Sequence, residues 1–157
     1  MTRLFPLLLC LLASCTPSVP PDWPLPQWEI HGAPVVYEAA SLPGYASAQI
    51  RGGLCVVQWD PDRWDELSDA EKVHKITHEV EHCRIAEDGV RLDAQGEELL
   101  ADCRAVAWAV RADYLPPEWE AEIAGYALDW PESDEHPPGI VRSIHIIECA
   151  ERARRGQ

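Results

Sequence analysis

The chain has 157 residues and a formal charge of −14, from 27 acidic against 13 basic side chains. That length holds one domain with accessories and a modest core. So acidic a chain argues against non-specific binding to nucleic acid or to anionic headgroups, and no apolar run reaches the roughly 20 residues that cross a bilayer as a helix.

Met1 to Cys15 has the build of an export signal: Arg3 gives a positive start, Leu4 to Leu12 an apolar core, and small residues follow. Leu12-Ala13-Ser14-Cys15 resembles the bacterial lipobox, which implies that residues 1–14 are removed and Cys15 is lipidated. The mature chain would then be held at the membrane by lipid, with no membrane helix. Thr16 after the cysteine resembles outer-membrane lipoproteins, which places the protein in the bacterial cell envelope, facing the periplasm. A plain secretory signal with an incidental Cys15 is the alternative.

Residues 15–34 carry the lipidated terminus and prolines at 17, 20, 21, 24, 26 and 34, with Trp23 and Trp28 between them. Proline at that density disfavours helix and central strand and favours extended polyproline II. The segment reads as a semi-rigid spacer, or as a docking segment for an activating partner.

Residues 35–157 read as an α+β domain, mostly helical, with about four helices and a small sheet. Pro34 to Tyr37 forms a first short strand. Leu54 to Trp59 is a stronger one, bounded by Gly52-Gly53 and the Asp60-Pro61 turn, and is expected at a sheet edge over a cleft. A helix then starts at Ser68, whose partner three residues on is Glu71, a capping-box pattern. It ends between Arg84 and Gly89, with Val73, Ile76, Val80 and Cys83 as its apolar stripe. A second helix begins near Gly96 and stops before Pro116-Pro117. A third runs from Pro117 to about Trp130. The last, Ile140 to Arg155, is expected to bury Val141, Ile144, Ile147 and Ala150, with arginines 152, 154 and 155 at its negative end.

The chemistry lies in the first of these helices, where His78, Glu79 and His82 spell His-Glu-x-x-His. Residues four apart share a helix face, so both imidazoles can grip one zinc ion while Glu79 reaches the water it activates. Catalytic zinc takes a third protein ligand, and Glu98 on the second helix is the natural candidate, with Glu97 its rival. Asp102, one turn after Glu98, is placed to accept the spare ring N–H of a zinc histidine. His74 extends the histidine stripe but lies too far along the helix to join the same ion, and reads as supporting or surface. His31 and His145 have no companions.

Glu98-Leu-x-Ala-Asp102-Cys103-x-Ala-x-x-Trp108 resembles the second-helix motif of the bacterial neutral zinc metallopeptidase family. The shorter Glu-x-x-Ala-Asp is shared with the prenyl-protein peptidase and periplasmic quality-control families, all gluzincins with His-Glu-x-x-His upstream. His136, Pro137, Pro138 and Arg142 resemble a downstream His-x5-Arg segment of the same families. The resemblance covers roughly residues 44–142. The interval from His82 to Glu98 is short, and segments of the larger members are missing. The resemblance implies a zincin-like fold and one zinc ion per chain, with Arg142 supporting the site. His136 would bind the oxyanion of a tetrahedral intermediate or serve as a removable fourth ligand; the plainer reading is a loop histidine in solvent.

Setting aside Cys10 and Cys15 leaves Cys55, Cys83, Cys103 and Cys149, an even number in an exported domain, which points to disulfides. Cys83 follows His82 and Cys103 follows Asp102, so both turn about 100° from the metal face. With the two helices antiparallel, that predicts Cys83–Cys103 and leaves Cys55–Cys149. The expectation is therefore a lipid-anchored zinc metallopeptidase that hydrolyses protein or peptide substrates, with Glu79 as general base. The alternatives are a non-catalytic envelope lipoprotein stapled by zinc, and a lipoprotein adaptor with a metal-free site that acts through its Trp-rich linker.

Overall fold

The computed structural model describes residues 28–157. The signal, Cys10 and Cys15 lie outside the described residues. The described chain is a mixed α/β fold in the order β1 (Glu29–Ile30), β2 (Ala33–Pro34), β3 (Val36–Ala39), β4 (Ala46–Arg51), β5 (Leu54–Trp59), α1 (Pro61–Trp64), α2 (Asp69–Glu87), α3 (Ala94–Arg111), α4 (Pro117–Leu128) and α5 (Gly139–Arg154).

The end of the segment read as spacer is folded. β1 and β2 form a small hairpin, and Trp28 is buried against Trp108, their ring centroids 4.1 Å apart, with the Arg84 guanidinium over its ring. Burying an indole and Ile30 outweighs the extended bias of nearby prolines, which a paired but short strand can accommodate.

The main sheet has the order β3-β5-β4, with β3 parallel and β4 antiparallel to β5. β5 is thus the central strand, and β4 is the edge, where the sequence pointed to β5 as the edge. Leu54–Trp59 is Val- and aromatic-rich because it is covered on both flanks. Ala46–Arg51 is half-exposed and poor in β-branched residues, so propensity gives little sign of it. The signal that finds it is Gly52-Gly53, both at positive φ (59° and 80°), a two-residue hairpin turn that joins β4 to β5.

α2 begins as its capping box requires: the Ser68 hydroxyl accepts from the Glu71 N–H at 3.2 Å, and the Glu71 carboxylate accepts from the Ser68 N–H at 2.7 Å. Val73, Ile76, Val80 and Cys83 are all buried, in one core with Tyr37, Val57, Trp59, Trp64 and Ile146. α3 starts at Asp93, whose side chain caps the Gly96 N–H. α3 lies between α2 and α5, and α4 packs on α5. The start of α5 runs so close to the end of α4 that a Cβ on Gly139 would fall 2.4 Å from the Leu128 carbonyl oxygen.

α5 is rotated from its expected setting. Arg142, Ser143, Ile146, Cys149, Ala150 and Ala153 face inward, while Val141, Ile144 and Ile147 are exposed. Apolar periodicity misleads here because a guanidinium takes a core position, made tolerable by carboxylates on α3.

The disulfides also differ from expectation: Cys55 bonds Cys83, and Cys103 bonds Cys149. The partners differ because the sheet covers α2 and α5 covers α3.

Candidate metal centre

His78, His82 and Glu98 converge, their ligand atoms all within 4.8 Å of one another. His78 Nε2 and His82 Nε2 are 3.0 Å apart. Glu98 sets one carboxylate oxygen 3.1 Å from His82 Nε2 and the other 3.4 Å from His78 Nε2. These pairings, with His82 opposite Glu97 and His78 opposite Asp102, run α2 and α3 antiparallel.

The other ring nitrogens are held by carboxylates. His82 Nδ1 donates to Glu97 at 3.0 Å. His78 Nδ1 lies 2.8 Å from Asp102 Oδ1 but off the line of a good hydrogen bond, so that contact is chiefly electrostatic. Carboxylates at both Nδ1 atoms favour the tautomers that leave Nε2 as a lone pair. Two imidazole lone pairs and a carboxylate then face one small volume, an arrangement that repels itself unless a proton or a cation sits among them. Donors around a tetrahedral zinc ion at about 2.0–2.1 Å lie roughly 3.3 Å apart. The observed spacings fit a group of that kind.

Glu97 is therefore not the third member of the cluster, as its rivalry with Glu98 allowed, but the carboxylate that orients His82. Asp102 Oδ1 lies beside His78 Nδ1 and beside a second histidine as well: His74 is buried with Nε2 3.3 Å from Asp102 Oδ1. His74 thus supports the site from within the core rather than from the surface. Arg142 donates from Nε and a terminal nitrogen to both Asp102 oxygens, at 2.7 and 2.8 Å, and its other terminal nitrogen is 3.2 Å from Glu98. His136 is half-exposed on the Pro131–Pro138 loop, its Nε2 3.7 Å from Glu98 and its Nδ1 3.1 Å from the Ser133 hydroxyl.

The electrostatics follow from this packing. Burial pulls the His78 pKa down, but the Asp102 and Glu98 carboxylates outweigh it and raise it to about 9. Burial wins at His74, whose pKa falls to about 4, so that ring stays neutral. Asp102 and Glu98 are pushed up by burial, yet their histidine and arginine neighbours hold both well below the ordinary carboxylate range.

The cluster opens onto a cavity of about 980 Å³ lined on one side by β4 and on the other by Lys75, Glu79, Tyr126, Trp130 and His136. Glu79 is buried beside His78 at its wall. Among the described residues, two further groups could hold a metal by distance alone. Cys103, His145 and Cys149 form one, but its two sulfurs are joined in a disulfide. His74, His78 and Asp102 form the other, fully buried and shared with the first cluster.

No family model, curated protein or solved structure matches this chain.

Proposed function

We propose that the protein is a zinc-dependent peptidase, with zinc held by His78, His82 and Glu98. The observation that carries this is the meeting of three electron-rich ligand atoms at one point on the wall of a cavity large enough for a peptide segment. Zinc held by these three residues would supply Lewis acidity, lowering the pKa of a water toward ~7.

The chain's own residues supply the rest. Glu79, next to His78, takes the proton from the attacking water and passes it to the leaving amine. Asp102, neutralised by Arg142, fixes His78, and Glu97 fixes His82. The exposed edge of β4 along the cavity offers unpaired backbone groups on which an extended peptide can lie. His136 stands at the mouth, where it can donate to a developing oxyanion. Lipidation at Cys15 and an envelope location complete the proposal; the zincin-like kinship rests on the motifs quoted above.

The test is metal content and turnover together. Purified protein should carry one zinc per chain, and chelation should abolish peptide cleavage while leaving the disulfide-bonded fold intact. Glu79→Gln should retain zinc and lose turnover by 10²-fold or more. Cleavage at the wild-type rate by that variant would remove Glu79 from the chemistry. Unfolding on chelation without any cleavage would favour zinc as a structural staple.

A further inference from the structure

Among the described residues three Lys or Arg side chains line the cavity, and two are engaged. Arg142 is held by Asp102 and Glu98. Arg63 donates to the Pro43 carbonyl at 2.7 Å and lies over the Tyr45 ring at 4.1 Å. Lys75 differs. Its Nζ sits 3.7 Å from the centre of the Trp130 ring and 5.7 Å from that of Tyr126, and among the described residues no carboxylate pairs with it. Aromatic faces attract an ammonium but leave its three N–H donors unused. Burial pushes the Lys75 pKa down to about 8, with Glu79 the carboxylate that most opposes this.

An ammonium kept half-buried with no carboxylate in direct contact is costly unless something arrives to meet it. Its position says what. Lys75 is four residues before Glu79, about 6 Å along α2, and about two residues of extended peptide cover that distance at roughly 3.3–3.6 Å each. Trp130 is held edge-on by Tyr126 and covered on a face by Arg142, so the platform beneath the ammonium is rigid.

We propose that Lys75 selects the substrate of this site by binding a carboxylate within one or two residues of the cleaved bond. The carboxylate comes from an Asp or Glu side chain or from the end of the peptide. The assignment rests on the peptidase reading and adds its specificity.

The experiment uses the full-length, zinc-loaded Glu79→Gln protein and acetylated hexapeptides differing only in Asp against Asn, or in a free against an amidated C-terminus. Calorimetry should give roughly 10–100-fold tighter binding for the matching carboxylate peptide, the range of a hydrogen bond to a charged group. Which pair differs tells side chain from chain end. Adding Lys75→Met should bring all peptides to one Kd, and Lys75→Arg should keep the preference; the melting temperature of each variant controls for folding. Equal binding of acid and neutral peptides, a preference that survives Lys75→Met, or no binding of any peptide overturns the proposal. Failure of the peptidase reading shows separately, as peptides bound by Glu79→Gln that the Glu79 protein never cleaves.

Discussion

Arg142 and Asp102 face each other with two nearly equal hydrogen bonds, 2.7 and 2.8 Å, and neither side chain reaches solvent. The pair joins α5 to α3 directly behind His78, so the rotation of the last helix and the setting of the metal face depend on each other. Arg142→Leu leaves the Asp102 charge buried with only histidines to meet it. We expect a loss of about 3–5 kcal/mol, read as a fall of roughly 10–20 °C in melting temperature. Arg142→Leu with Asp102→Leu should cost less than the two single changes added together.

His78 makes metal uptake depend on pH. Its folded pKa of about 9 lies above the ordinary 6.5. In the metal-free protein the charged ring therefore contributes stability fully below pH 6.5, and that contribution is lost as pH rises through about 9. A divalent cation needs the neutral ring, so uptake expels the proton. Zinc affinity should rise roughly tenfold per pH unit up to about 9 and then flatten. Calorimetry at pH 7 in two buffers of different ionisation heat should count about one proton or more released; none released would contradict the His78 assignment.

The two disulfides close loops with sequence separations of 28 and 46 residues. On the chain-entropy account each stabilises by roughly 3.5–4 kcal/mol. Peptide mapping without reduction should find Cys55 joined to Cys83 and Cys103 joined to Cys149. Cys103→Ala with Cys149→Ala should lower zinc affinity as well as stability, since that bond fixes α5 to the helix carrying Glu98, Asp102 and Cys103.

On α5, two isoleucines within one turn but on different faces should respond differently to substitution. Ile144→Asp, on the exposed face, should change stability by no more than about 0.5 kcal/mol. Ile146→Ala, fully buried, should cost about 2–5 kcal/mol. Denaturant titration of the two variants separates the observed rotation of the helix from the one that periodicity predicts.

What is local can be read from the chain alone. A capping box, a four-residue spacing of histidines, a proline after a helix and an apolar stripe act within one or two turns. They fixed α2 to within a residue or two, put both imidazoles on one face, and marked Glu98 and Asp102 as companions one turn apart. Which element each side chain meets is settled by the packing of the folded chain. Cys83 finds the sheet and Cys103 finds α5, Glu97 orients His82, and His74 enters the core. Arg142 takes an inward position that no hydrophobic pattern would give it. Contacts between elements depend on how several faces are covered at once, and a buried ion pair reverses the inside-outside rule that periodicity relies on. Lys75 shows the same limit: its place on the histidine face is legible in the chain, but that none of the described carboxylates pairs with it is a fact about its neighbours.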